Sequence, residues 1–224
     1  MVSDKNCEYI AGALKNFVYI DLTRPIGNDI NKHNIEDAFE NATCNIGLDS
    51  NNDRIFEEYT YFRIFLIDYF TYTILGECEK EQRILDFFYV QVKEMLATLT
   101  DNESMNMHFI SQMAKRINSY GEVVRKNENG GSRTISELCQ QLFINSEIDP
   151  NGDQFGEFMQ FEMTFFVPQW QSLFEAMKKL LAVDDHVIGE FANKSAKTTA
   201  SNGTGCLVYA IGAICLLVLA FALV

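Results

Sequence analysis

Residues that could catalyse a reaction are scattered along this sequence. The three histidines, His33, His108 and His186, lie far apart, and none belongs to a recognisable nucleophile motif. The sequence contains no P-loop, no GxSxG motif and no HExxH motif. Acidic residues are abundant, but a carboxylate excess on helices is usually a solvated face. We therefore expect no enzymatic activity and no bound cofactor.

Two acidic turns have the residue types that bind calcium, which prefers several oxygen ligands from one short loop. The first three ligand positions of an EF-hand loop are matched twice, by Asp49, Asn51 and Asp53 and again by Asp149, Asn151 and Asp153. Such a loop also needs Gly at position six and Glu at position twelve. These positions hold Arg54 and Thr60 in the first turn and Gln154 and Gln160 in the second. Asx-rich turns between helices are the favoured interpretation, and weak calcium binding is the alternative.

Composition excludes several classes of protein. The formal net charge of −13 argues against nucleic-acid binding, which needs clustered Lys and Arg. Four cysteines, Cys7, Cys44, Cys78 and Cys139, are widely spaced without a CxxC motif, so reduced thiols are expected rather than disulfides or a zinc site. Only three prolines occur, and strand-like alternation is hard to find. The sequence therefore predicts an all-α fold.

Apolar periodicity places the helices. It predicts helices over 7–20, 33–45, 57–75, 79–99, 107–120 and 136–145, followed by two helices within 154–182 that meet near Pro168. Gly76 is expected to end the third helix, and one of the residues 100–102 to cap the fifth. Thr134 or Ser136 is expected to cap the sixth.

The segment 57–75 is apolar or aromatic over most of its circumference. Thr60, Arg63, Asp68 and Thr71 share one arc of about 140° at 3.6 residues per turn. A helix of this kind belongs in the middle of a domain, with one edge showing. We expect the polar arc to be that edge.

The last nineteen residues, 206–224, carry no charge and no proline. A helix of this length spans roughly 28 Å, which is enough to cross a bilayer. The N-terminus lacks the features of a secretory signal. We therefore expect a tail anchor, preceded by a polar linker at 193–205, in an intracellular membrane such as the mitochondrial outer membrane or the endoplasmic reticulum, with the body facing the cytosol. A lipid-anchor signal is the alternative.

The order of several segments resembles the Bcl-2 family, particularly its nematode members. FLIDYFTYTI at 65–74 resembles a BH4 helix, and the stripe Leu85, Tyr89, Val92 and Leu96 with Glu94 looks like a BH3 helix. LFINSEIDPNGDQFGEFMQF at 142–161 is similar to a BH1 region, and DHVIGE at 185–190 is at best a remnant of BH2. The resemblance covers 60–224. Asp153 stands where the family carries an Arg that pairs with the acid of a bound BH3 helix.

This resemblance implies a Bcl-2-like helical bundle over 57–192, with 1–56 as an N-terminal helical extension and a central hairpin over about 154–182. It implies control of apoptosis through a groove that binds an amphipathic BH3-type helix of a partner. The groove residues would be Leu85, Tyr89, Val92, Glu94 and Leu96 on one wall and Phe155, Phe158 and Phe161 on the other. The same residues fit a hydrophobic core. A membrane-tethered protein of EF-hand descent and a helical membrane adaptor are the competing classes.

Overall fold

The computed structural model describes residues 4–23, 34–44, 52–98, 100–127, 132–149 and 155–183. The helices are α1 (Asp4–Phe17), α2 (Ile35–Cys44), α3 (Asn52–Leu75), α4 (Glu79–Leu96), α5 (Glu103–Lys126), α6 (Ser132–Asn145), α7 (Phe155–Phe161), a π-helical segment (Glu162–Phe166) and α8 (Val167–Leu181). In these ranges the only β pairing is one isolated bridge between Ile20 and Asn34. The all-α prediction is confirmed for the described residues.

Helix α3 lies at the centre of the fold. It packs against α1, α2, α4, α5, α6 and α8. Ile64, Ile67 and Phe70 are at most 2% exposed, as the apolar circumference of the segment predicts. At its end Gly76 has a φ of 69°, which L side chains rarely adopt, and its N–H bonds to the Tyr72 carbonyl at 2.8 Å. The predictions of a central helix and of its glycine stop are both confirmed.

The expectation that the polar arc of α3 is its exposed edge is wrong. Arg63 and Thr71 are 1% and 0% exposed. The Thr71 hydroxyl donates to the Ile67 carbonyl at 2.7 Å, and the Thr60 hydroxyl donates to the Phe56 carbonyl at 3.1 Å. Buried threonines can thus satisfy their hydroxyls within their own helix. Arg63 finds its acceptors on neighbouring elements.

Helices α5 and α6 are longer than predicted. Asn102 caps α5, and its side chain accepts from the N–H groups of Ser104 and Met105 at 3.0 and 3.3 Å, as expected for a residue of 100–102. The expected cap of α6 is wrong, because α6 begins at Ser132 and both Thr134 and Ser136 lie inside it. The Ser136 hydroxyl instead donates to Glu162 across the interface with the π-helical segment, at 3.2 Å.

The chain is continuously helical from Phe155 to Leu181, so the hairpin implied for 154–182 is absent. Val167 was expected outside the α region because a proline follows it, yet its φ and ψ are −64° and −45°. Its N–H bonds five residues back, to the Glu162 carbonyl. The wider π turn changes the hydrogen-bond register just before Pro168, so the proline is accommodated without breaking the helix.

Aromatic rings join α2, α3 and the π-helical segment in the core. Phe62 stacks on Phe166 with ring centroids 4.7 Å apart, and Phe39 meets Phe165 edge to face at 5.6 Å. Each of these rings is at most 5% exposed. Residues 4–17, assigned to an N-terminal extension, supply part of the same core through Ile10 and other side chains.

Candidate functional site

The structure places most of the predicted groove residues in the core. Val92, Leu96, Phe158 and Phe161 are at most 1% exposed. Leu85 and Tyr89 are half-buried, and Glu94 is exposed. Phe155 is the first residue of α7, and its side chain lies outside the description. The most deeply buried apolar residues of α4 recur at every fourth position, as Ile84, Phe88, Val92 and Leu96, so the stripe is shifted from the predicted one at its first two positions.

The two predicted walls make separate contacts. Phe158 and Phe161 both pack on Phe143 of α6, with ring centroids 5.2 and 5.4 Å away, and Phe161 also meets Phe39 of α2. Helix α4 packs mainly against α1, and less against α3 and α5. The structure therefore gives helix α4 a different main neighbour from the predicted one.

That neighbour, α1, is itself an amphipathic helix. Its buried apolar residues include Ile10, Leu14 and Phe17. Two polar contacts join the helices at their exposed margin: Arg83 pairs with Asp4, and the Gln91 amide donates to the Glu8 carbonyl at 3.2 Å. The pairing of α1 with α4 is the most extensive between helices of the described residues. Helix α4, which was expected to receive a partner helix, thus packs against a helix of its own chain.

Arg63 binds the C-terminal end of α1. Its Nε donates to the Phe17 carbonyl at 3.0 Å, and one terminal nitrogen donates to the Ile20 carbonyl at 3.0 Å. The Phe17 carbonyl is one of the last four of α1, which lack donor partners within the helix, and the helix dipole is negative there, so a cation is favourable.

The same guanidinium connects α1 to α8. It donates to the Gln169 side-chain oxygen at 3.2 Å, and the Gln169 amide donates to Asp21 at 2.7 Å. Asp21 is 1% exposed and also accepts from the Thr23 hydroxyl at 2.7 Å. The Gln169 amide thus bridges the buried side chains of Arg63 and Asp21. We call Arg63, Gln169 and Asp21 the α1 latch.

A second buried polar cluster joins α3 to α5 and α6. Glu58 accepts from the Tyr120 hydroxyl at 2.7 Å and from the Asn145 amide at 2.9 Å. The Arg116 Nε lies 3.0 Å from the Glu58 Oε2. Burial raises the pKa of Glu58, although the two hydrogen bonds and the charge of Arg116 lower it. The cluster holds three helices together.

The Tyr89 side chain makes a contact within the bundle. Its hydroxyl donates to Asp68 of α3. Burial raises the pKa of Asp68 against the opposing effect of that hydrogen bond, and burial also raises the pKa of Tyr89. This hydrogen bond joins α3 to α4. It links Asp68, in the segment that resembles a BH4 helix, to Tyr89, in the segment that resembles a BH3 helix.

The alternative calcium residues are mostly outside the described ranges. This holds for Asp49, Asn51, Asn151 and Asp153. Asp53 belongs to the first turn of α3 rather than to a loop, and Asp149 is exposed. Among the described residues no three His, Cys, Asp or Glu side chains are grouped so that they could hold a metal ion.

No helix in the described ranges is long and apolar enough to cross a membrane. The expected anchor at 206–224 and its linker at 193–205 lie outside those ranges. Comparisons of the chain with protein-family models, with curated proteins and with solved structures find no match.

Sequence reasoning missed the α1 latch. One signal was available, because Arg63 interrupts an otherwise apolar run and a buried arginine needs several acceptors. The pairing of α1 with α4 had no local signal. Periodicity identifies the apolar face of a helix but not the helix that covers it.

Proposed function

We propose that this protein is a membrane-tethered helix-binding module, in which α4 receives an amphipathic helix of a protein partner. The observation that carries the proposal is the seating of α1 on α4. Helix α1, whose buried apolar residues are spaced by three and four positions, packs against α4. Helix-in-groove recognition uses this spacing.

The membrane tether is proposed from the sequence of 206–224. Its uncharged length suits a bilayer span, and the polar residues of 193–205 would separate it from the body. In this proposal the anchor lies in an intracellular membrane and the helical body faces the cytosol.

A fluorescent protein fused to 193–224 tests the tether. We expect it to label an intracellular membrane and to resist alkaline extraction. The matched control is Leu216→Arg, because a charge at the centre of a span costs about 2.5–3.5 kcal/mol and should release much of the fusion. Diffuse fluorescence of the unmodified fusion would refute the anchor, and cell-surface labelling released by a phospholipase would favour the lipid-anchor alternative.

The narrower role, control of apoptosis through BH3-type helices, is supported by the resemblance of 60–224 to the Bcl-2 family. The absent hairpin over 155–181 and Asp153 both depart from that family. A fluorescence-anisotropy titration of the full chain with labelled BH3-type peptides tests this role. Saturable binding that Phe88→Glu abolishes is expected. If no peptide binds, the narrower role is refuted, while a membrane-tethered helical adaptor would remain.

A further inference from the structure

The segment formed by α7 and the π-helical turn has an outer face without charge. The exposed residues described in it are Gly156, Met159, Gln160, Met163 and Thr164. Met159 and Met163 are 37% and 71% exposed. The outer face of a surface helix usually carries charged residues, and 22% of the residues of this chain are charged. We call these five residues the methionine face.

The two acids of the same segment do not lie among its exposed residues. Glu162 is 8% exposed and accepts from the Ser136 hydroxyl of α6 at 3.2 Å, and Glu157 is half-buried. The Thr164 hydroxyl donates to the Gln160 carbonyl at 2.7 Å, so its hydrogen is used within the helix. Among the described residues none bonds to the Gln160 side chain, whose amide is therefore the donor that this face offers to a partner.

The opposite side of the segment is fixed in the core. Four of its phenylalanines are at most 5% exposed, namely Phe158, Phe161, Phe165 and Phe166. The π turn that spans Glu162–Phe166 directs two successive rings inward and leaves Met163 outside. Turns of this kind are frequent at functional sites. The methionine face therefore lies on a close-packed support, and its side chains cannot turn inward without displacing those rings.

Charge decides which partner fits the methionine face. The chain carries a formal net charge of −13. A basic partner would be attracted by exposed acids, and the methionine face has none. A second copy of the chain is equally acidic, so it can approach closely only where neither copy exposes an acid, as on this face. Methionine side chains are flexible and adapt to the surface that they meet, which allows one patch to pack against its own copy.

We propose that the methionine face is the contact between two copies of this chain, related by a two-fold axis. An antiparallel arrangement of the two 156–164 segments places Met163 of one copy over Gly156 of the other, so that a large residue covers the smallest one. It also brings the two Gln160 side chains together near the axis, where each amide can donate to the other. The contact uses no residue of α4, so it goes beyond the proposed function and does not rest on it.

The small size of the methionine face sets the expected affinity. Stable complexes bury about 800 Å² and roughly 20–30 residues on each partner, which is several times what this face offers. We therefore expect a dissociation constant on the order of 10 μM or weaker. A charge introduced at Met163 enters the contact twice, once from each copy, and neither charge meets an opposite one. Met163→Asp should therefore raise the dissociation constant at least about ten-fold.

The test measures energy transfer between donor-labelled and acceptor-labelled copies of the full chain, mixed in detergent micelles at increasing protein concentration. Met163→Asp is compared with Met107→Asp, because Met107 is 59% exposed on α5 and its substitution should leave the dissociation constant unchanged. Both positions are exposed, so both variants should melt at the temperature of the wild type.

A cross-link tests the arrangement without relying on Met163→Asp. A residue near a two-fold axis lies close to its own copy, so oxidation should join two Gln160→Cys chains. Ser111→Cys, at an exposed position of α5, is the control and should stay monomeric. Both variants leave the buried Cys7 and Cys139 in place. The other cysteines are replaced by serine, namely Cys44, Cys78, Cys206 and Cys215.

Three results would each overturn the proposal. The first is a wild-type chain that stays monomeric up to about 1 mM. The second is association that Met163→Asp leaves unchanged, which would assign the contact to another surface such as 206–224. The third is a fluorophore on Gln160→Cys that responds to lipid vesicles where copies do not associate, which would make a lipid surface the occupant. None of them concerns peptide binding by α4, so the two proposals fail separately.

Discussion

The latch arginine offers a sharp test, because its helix carries a second arginine in the opposite environment. Arg63 is 1% exposed, and its replacement by Met removes the donors that now satisfy the Phe17 and Ile20 carbonyls. It also removes the donor that holds the Gln169 side-chain oxygen, and Gln169 in turn binds Asp21. A buried polar group left without its hydrogen-bond partner costs about 1–3 kcal/mol, so the loss of the donors to the two carbonyls should cost about 2–6 kcal/mol. Since whole domains are stable by about 5–15 kcal/mol, this is a large part of the total stability.

The measurement is urea unfolding of the full chain in detergent micelles, combined with amide hydrogen exchange. Arg63→Met should lower the free energy of unfolding by about 2–6 kcal/mol, and α1 should lose exchange protection before α6 does. Arg63→Lys keeps the charge but not the planar fork, so an intermediate loss is expected. Arg54→Ala is the matched control, because Arg54 pairs with Glu147 at 49% and 72% exposure and should cost less than about 1 kcal/mol. A loss at Arg63 no larger than the loss at Arg54 would refute the latch.

Two further predictions concern pH and the backbone. Because the pKa of Glu58 is raised above 4.5 in the folded protein, the folded state binds the proton more tightly. The contribution of Glu58 to the free energy of unfolding is therefore fully present below its pKa in the unfolded state and is lost as pH rises through its pKa in the folded state. In urea titrations from pH 4 upward, Glu58→Gln should reduce the fall of the free energy of unfolding with pH. An unchanged pH dependence would assign that fall to other groups. Gly76→Ala should lower the stability by about 1 kcal/mol or more, because Gly76 has a φ of 69°. Gly121→Ala lies inside α5, with nothing within 4 Å of the added carbon, and should raise the stability by about 0.5–1 kcal/mol. If thermal melts show equal effects of Gly76→Ala and Gly121→Ala, the explanation from backbone conformation is contradicted.

Local patterns were enough to predict the helices. The long apolar run predicted a central α3, Gly76 predicted its end, and a residue of 100–102 was correctly expected to cap α5. Each of these features depends on the chemistry of a few neighbouring residues. These features can be predicted from the sequence because no contact with a distant residue overrides the local preference.

Features that depend on distant partners were not readable in the same way. Arg63 was expected at the surface because a charge alone is costly to bury, and its acceptors near Phe17 and in α8 are distant in sequence. The stripe of α4 was assigned to a partner helix because an apolar stripe has the same appearance whether it binds a partner or α1. Pro168 was expected to break the helix because the π-helical register that accommodates it has no short motif.

The α1 latch also constrains the order in which the protein can be completed during synthesis. The hydrogen bond between Gln169 and Asp21 joins residues 148 positions apart, so the N-terminal segment cannot reach its final contacts until α8 has left the ribosome. Contacts of such long range are slow to form because a large loop must close first. Until then the apolar faces of α1 and α4 depend on each other or on a chaperone for cover. A chain truncated before α8 would keep the bonds from Arg63 to the Phe17 and Ile20 carbonyls but lose the Gln169 bridge to Asp21.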